Sequence, residues 1–293
     1  FIIINHFMKN FETIRTEIKE HSLIIYLSRE DKMNAFTLSM QQELVAALDE
    51  AEKNDEIKAI IFTGDGKAYC AGADLSSGGD TFDNRTGREK TNNVVRDSGG
   101  LLTLRFFKSK KPLIAAINGA AVGIGATMLL PMDVRICSEN ARFGFVFAKR
   151  GIVPEAASSW FLPRLIGITK ALELCYSGKI ISAQSANDIN LVSEVLPQEE
   201  LLARALEIAN EFTSESSQIS IALTRQMMWR MLGADDPMEA HKIDSRGVYE
   251  LGQSGEAIEG VKSFLEKRPP SFPGKVSKDM PSFYPWWVEK EFD

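Results

Sequence analysis

Two segments rich in Gly and Ala, each set just after an apolar, strand-like run, constrain this chain more than any other feature. One is Ala71-Gly72-Ala73-Asp74-Leu75. The other spans residues 118–127 (NGAAVGIGAT) and is continued further on by residues 151–159 (GIVPEAASS). Small residues let a ligand approach the backbone closely. A strand that breaks into such a loop, and then into a helix, aims backbone N–H groups at whatever binds there. The pair reads as two donors for one oxyanion. Glu155 is the one carboxylate placed to move protons beside them. The chemistry implied is acid–base work next to a carbonyl, where two preorganised N–H groups stabilise a developing enolate by several kcal/mol.

The runs around these loops set the fold class. Residues 12–19 alternate in part, and 23–27 follow after a short polar break, so a hairpin is predicted. Met40, Leu44, Ala47, Leu48 and Ala51 recur at helical spacing, with Thr37 or Ser39 as the N-cap. Residues 58–63, 113–117 and 133–137 read as buried strands. Gly123-Ile124-Gly125 opens a helical run over 126–130, and residues 76–100 form a polar loop leading into a short helix. The repeated strand, helix, strand order predicts an α/β core. From Leu201 onward the chain is mostly helical. Beyond Arg268 five prolines break the helices, and Phe283, Tyr284, Trp286 and Trp287 predict a tail that docks.

Composition removes several function classes. The 293 residues are 44% hydrophobic and 25% charged, as in a globular protein with a sizeable core. A net charge of -6 argues against a nucleic-acid face. The basic strip from Arg105 to Lys111 is read as a solvated loop before a strand, with a phosphate contact as the other reading. Cys70, Cys137 and Cys175 are odd in number and far apart, which predicts reduced thiols and a cytoplasmic location. His6, His21 and His241 lack ligand spacing, so no metal site is expected. No apolar run reaches the ~18–20 residues that would cross a membrane. Residues 1–7 are apolar but short for a signal-peptide core, and Met8 reads as a native start.

Nucleotide and serine-nucleophile motifs are missing. Met128 stands where the third glycine of a dinucleotide loop belongs, and Ser158 and Ser159 lack a Gly-x-Ser-x-Gly elbow. Glu155 itself reads two ways. After Pro154 it is a common first-turn residue of a helix, or it is the site carboxylate, with Phe145, Val146, Phe147 and Trp160 as apolar walls that raise its pKa.

Taken in order, several stretches resemble the crotonase superfamily, the enoyl-CoA hydratase/isomerase family. They are Asn34-Ala35-Phe36, the 71–75 loop, residues 111–119 (KPLIAAING), Ala141-Arg142-Phe143-Gly144, residues 162–167 (LPRLIG) and Phe264-Leu265-Glu266-Lys267-Arg268. The resemblance covers residues 11–272. It implies a spiral of ββα turns with two roughly perpendicular sheets, followed by C-terminal helices. The division it implies is a spiral core over 11–210, a helical trimerisation region over 211–268 and a Pro/aromatic tail over 269–293. The implied assembly is a homotrimer or a dimer of trimers. The implied ligand is an acyl-CoA thioester, handled without a separate cofactor, metal, nucleic acid or membrane.

By position, the resemblance makes the N–H groups of Ala73 and Ile124 the oxyanion donors. Lys32, Met33, Ala71, Asp74, Leu75, Gly123, Thr127 and Phe147 would line the CoA and acyl site. The chain also departs from the pattern. The two glutamates of well-studied hydratases fall on Thr127 and Phe147, while Glu155 sits in a Pro-Glu-x-x-Ser-Ser setting similar to that of 3,2-enoyl-CoA isomerases. The reading is an enoyl-CoA hydratase/isomerase with Glu155 as its acid–base, leaning to isomerisation. The rival readings are a non-catalytic acyl-CoA-binding protein, and a thioester hydrolase or dehalogenase with Glu155 as nucleophile.

Overall fold

A computed structural model describes residues 10–83 and 94–292. The expectations for His6, Met8 and residues 1–7 therefore fall outside the described residues, as does part of the 76–100 loop. The first element of the described residues is the expected hairpin, β1 (Ile14–Lys19) and β2 (Ser22–Leu27), paired antiparallel from Ile14↔Leu27 to Lys19↔Ser22. Helix α1 (Leu38–Lys53) follows, its first turn capped by Thr37, whose side chain accepts from the Met40 N–H at 3.1 Å. Its buried face is Met40, Gln41, Leu44, Ala47, Leu48 and Ala51, so five of the six positions are the apolar ones read from the spacing.

Three successive units then share one plan. Strand β3 (Ala59–Gly64) passes into β4 (Ala68–Cys70) and, beyond a long loop, into α2 (Ser98–Phe107). Strand β5 (Leu113–Ile117) passes into β6 (Ala120–Val122) and α3 (Ile124–Thr127). Strand β7 (Val134–Ser138) passes into β8 (Arg142–Gly144) and α4 (Ser158–Ile166). The first strand of each unit joins one sheet and the second joins another. The six-stranded sheet runs β1-β2-β3-β5-β7 and ends on β10 (Glu194–Leu196). The four-stranded sheet runs β4-β6-β8 and ends on β9 (Ile180–Ser182). Among the described residues, only the β1·β2 and β8·β9 pairs are antiparallel. Between α4 and β10 lie α5 (Ile168–Ser177) and α6 (Ala183–Asp188). This is the α/β spiral of ββα turns.

The sheets are buried on both faces, which is why β2, β3 and β5 are continuous apolar runs. One core cluster joins α1, α2 and the strands of both sheets. A second packs Ile24, Ile61, Ile114 and Ile136 against α7 (Leu201–Thr213). Helices α8 (Gln218–Met231), α9 (Pro237–Gly252) and α10 (Gly255–Glu266) complete the chain's helical part. Asp133 fastens α8 to the sheet. It accepts from Arg225 Nε at 2.8 Å, Trp229 Nε1 at 2.7 Å and the Leu113 N–H at 2.8 Å. None of the described helices is long and apolar enough to cross a membrane.

Two expectations change here. The helix after Gly123 is four residues long, because Pro131 cannot continue it and disfavours helical geometry at Leu130. The basic strip is not a solvated loop. Arg105 lies within α2 and pairs with Asp49 and Glu52, Lys108 meets Glu289 at 2.8 Å, and buried Lys111 donates to the Ala51 and Asn54 carbonyls. Burial moves the Lys111 ammonium down to about 8.

The tail docks on its own chain. Phe283, Tyr284 and Trp286 pack on a small core built from Ile219, Ala222, Leu223 and Val276. The Arg230 guanidinium stacks 3.2 Å from the centre of the Trp287 ring, and Ser282 donates twice to Glu250.

Candidate functional site

The parallel strands β4, β6 and β8 are neighbours, so the loops leaving their C-terminal ends must converge. Those loops carry Ala71–Asp74, Gly123–Ile124 and the segment that ends in Glu155. The carboxyl end of parallel strands is where α/β sheets bind ligands.

The first two loops touch. Gly72 has φ +112 and Gly123 has φ +55, and a Cβ on Gly123 would lie 3.8 Å from Gly72 Cα. A Cβ on Gly125 would come within 2.1 Å of the Cys70 carbonyl oxygen, so α3 packs directly on β4. Pairing of Phe36 with Ala73 holds the first loop, through the Phe36 N–H to Gly72 O (2.8 Å) and the Asp74 N–H to Phe36 O (3.0 Å). Among the described residues, the N–H groups of Ala73 and Ile124 donate to no protein acceptor. Ile124 is the first residue of α3, where a helix leaves its N–H unpaired.

Glu155 does not start a helix. It sits in a turn before α4, followed by Ala156 at φ +59 and Ala157 at φ +52. Left-handed geometry costs a non-glycine residue roughly 1–2 kcal/mol, so neighbours must hold the turn. Helix α2 does so at both backbone groups of Ala156. Its N-cap Asp97 accepts the Ala156 N–H at 2.7 Å, and buried Thr103 donates to the Ala156 carbonyl at 2.8 Å.

The Glu155 carboxylate is half-buried. Thr127 Oγ1 donates to its Oε1 at 2.5 Å. A Cβ on Gly99 would lie 2.0 Å from Glu155 Oε2 and 2.6 Å from Ile124 Cδ1, which places the carboxylate beside the residue carrying the second free N–H. Desolvation, then the negative charge of Asp97, pushes Glu155 up to about 8, against the lowering bond from Thr127. A carboxyl group with its pKa raised in this way has the proton affinity that acid–base work near neutral pH requires.

The other sequence-derived positions divide. The Ala71 N–H donates to the Met33 carbonyl at 3.0 Å, which brings the 32–34 segment against the 71–75 loop. Lys32 and Leu75 are exposed there, and Asp74 is held down to about 2 by Arg29 at 2.8 Å and by Ser76. Thr127 faces Glu155 directly. Phe147 is buried in the main core together with Phe145, and Trp160 is partly buried with its ring at 5.8 Å from Phe107. The groups set beside the Glu155 carboxylate include Thr127, Gly99, Ile124 and Asp97.

Sequence reasoning missed Asp97 and Gly99. Both were absorbed into a loop drawn as 76–100, although Asp97-Ser98-Gly99-Gly100 before an apolar run is a helix-start signal. Beyond Ala157, a chamber of about 1490 Å³ is lined by Leu101 and Leu104 of α2, Phe161 of α4 and the tail's Trp286, Trp287 and Phe292.

Comparison with known proteins agrees with this geometry. The sequence profile of the enoyl-CoA hydratase/isomerase family matches residues 17–275. An enoyl-CoA hydratase of Alternaria alternata is 44% identical over 250 residues, covering 85% of this chain and 82% of that protein. The 1,2-epoxyphenylacetyl-CoA isomerase of Escherichia coli is 30% identical over 271 residues, covering 90% and 99%. The crystal structure of a probable enoyl-CoA hydratase/isomerase from Mycobacterium abscessus superposes with a TM-score of 0.81 at 29% identity, covering 89% of this chain and 99% of that one. With both its sequence and its fold matching, the chain belongs to the enoyl-CoA hydratase/isomerase family of the crotonase superfamily.

Proposed function

We propose that this protein shifts the double bond of an enoyl-CoA thioester, converting a 3-enoyl to a 2-enoyl group, with Glu155 as its single acid–base. The N–H groups of Ala73 and Ile124 hold the thioester oxygen. Glu155 takes a proton from C2, and the C–H electrons pass through the carbonyl carbon onto that oxygen as a dienolate. The dienolate collapses as Glu155 returns the proton to C4, and the double bond now lies between C2 and C3. The shift is internally balanced, so the proposed chemistry calls for no cofactor or metal.

The observation that carries this reading is the placement of Glu155, bonded to Thr127 and beside Ile124; the resemblance, in turn, implies that Thr127 and Phe147 stand where hydratases carry their glutamates. One carboxylate serves a shift between two carbons, whereas adding water across a double bond divides between an acid and a base. The name of the Alternaria relative favours hydration as the second reading. The acyl group would enter the chamber beyond Ala157, and the 32–34 and 71–75 segments would face the CoA portion.

We also propose that α9 and α10, within the 211–268 region, bury their apolar side chains in a homotrimer or a dimer of trimers. Val248, Tyr249, Phe264 and Leu265 are each more than 70% exposed on the single chain. Sedimentation analysis checks this, and a monomer at micromolar concentration contradicts it.

The decisive test is Glu155→Gln assayed on both 2-enoyl- and 3-enoyl-CoA esters. A fall of about 10²–10⁴-fold is expected on the turned-over substrate. Undiminished turnover removes Glu155 from the mechanism, and a covalent acyl-enzyme found by mass spectrometry during turnover would move it from base to nucleophile.

A further inference from the structure

Resting on the reading of Glu155 as the acid–base, we propose that Asp97 is its positioning residue. Its carboxylate fixes the strained turn that presents Glu155 and holds a negative charge against it. The geometry comes from three backbone bonds. Asp97 Oδ1 accepts from the Gly99 N–H at 3.0 Å, and Oδ2 from the Gly100 N–H and the Ala156 N–H, both at 2.7 Å. The first two bonds cap α2, and any of Ser, Thr or Asn would do that as well. The third joins the start of α2 to the residue after Glu155, across 59 positions of sequence.

The negative charge of Asp97 also raises the proton affinity of Glu155. Among the described residues, the other groups beside Glu155 are uncharged. Thr127 on α3 offers a hydroxyl, Ser158 at the start of α4 carries a buried hydroxyl with no partner, and the buried Cys70 thiol on β4 is pushed up to about 12. Asp97 is therefore the charge that acts on Glu155, and the effect is a stronger base. A like charge at this range moves a carboxyl group by roughly a unit or more when buried. Asp97 is exposed, so solvent and salt weaken its hold.

The experiment compares wild type, Asp97→Asn, Asp97→Ser and Glu155→Gln. Asp97→Ser keeps a cap on α2 without the charge, so one folded variant is secured if the other is not. The readout is the carboxyl infrared band of Glu155, assigned by its loss in Glu155→Gln and titrated from pH 5 to 10. It is followed alongside the acidic limb of kcat/KM on the turned-over enoyl-CoA ester. We expect the Asp97 variants to titrate about 0.5–1 unit lower than wild type, with the acidic limb moving by the same amount and kcat falling several-fold. Salt at about 1 M should narrow the difference.

A folded Asp97 variant whose Glu155 band and limb stay where wild type has them overturns the role of Asp97 alone. An acidic limb that survives in Glu155→Gln overturns the Glu155 reading and this one with it.

Discussion

Glu155→Gln removes the charge of the site carboxylate while keeping its shape and a partner for Thr127, so its effect on stability measures what holding that charge costs. Its surroundings push the group from 4.5 up to about 8. The folded protein thus keeps a proton that the unfolded chain releases near 4.5. Stability is full below about pH 4.5, declines as pH rises, and levels off above about 8, because between those values the native state binds more protons. At about 1.36 kcal/mol per pH unit, the interval sets a ceiling of roughly 5 kcal/mol. Glu155 is only half-buried, and water relaxes around it, so about 2–3 kcal/mol is the expected cost at pH 9. Gln resembles the protonated form, so the variant should match wild type to within about 0.5 kcal/mol at pH 5. The assay is urea unfolding at fixed protein concentration from pH 5 to 9. A difference between the two proteins that does not grow across this range would refute the desolvation argument.

Three further outcomes follow from the packing. Gly99→Ala drives a methyl to 2.0 Å from Glu155 Oε2, so turnover should drop by more than about 10-fold with a stability loss of roughly 1–3 kcal/mol, read by kinetics and by unfolding. Asp133→Ala removes the carboxylate partner of Arg225, leaving it the Phe107, Ser109 and Pro131 carbonyls, and frees Trp229 Nε1. Because Asp133 is 20% exposed, a loss of about 2–4 kcal/mol is expected by denaturant unfolding, below the full cost of breaking a buried pair. Trp287→Ala removes the ring stacked on Arg230 and should expose the tail to limited proteolysis, with stability lower by about 1–2 kcal/mol. An unchanged cleavage pattern would count against the docked tail.

The parts of the fold legible in the sequence were those with a strong period or composition. The α1 stripe, the hairpin and the 113–117 strand were found nearly to the residue, because burial on one helical face or on both faces of a sheet leaves a plain apolar signature. The candidate site was legible only where its chemistry lies in the backbone, as in the two Gly/Ala loops. Glu155 looked like an ordinary helix start because nothing local announces that Ala156 and Ala157 take left-handed geometry. That geometry is imposed by Asp97 and Thr103, more than 50 positions away, and a local pattern carries no trace of such contacts. Asp97 was hidden for a related reason. Its capping signal stands at the end of a long polar stretch that reads as loop throughout.

Where the resemblance sets a hydratase glutamate, at Thr127, the proposed mechanism has a structural reason for a hydroxyl. A carboxylate at position 127 would face Glu155 at hydrogen-bond range, since the Thr127 hydroxyl already touches it at 2.5 Å. With Asp97 on its other side, the site would then hold three carboxyl groups, and like charges so close cannot all ionise. Threonine instead gives a donor that lowers Glu155's proton affinity, while desolvation and Asp97 raise it. The balance leaves the group at about 8, which suits the proposed shift, since a weaker base would not take a carbon-bound proton and a stronger one would not return it. Substituting Thr127 by Val keeps the shape and deletes only the donor, so Glu155 should then titrate higher still and the acidic limb should move up. A downward or absent movement would mean that the hydroxyl does not tune the carboxylate.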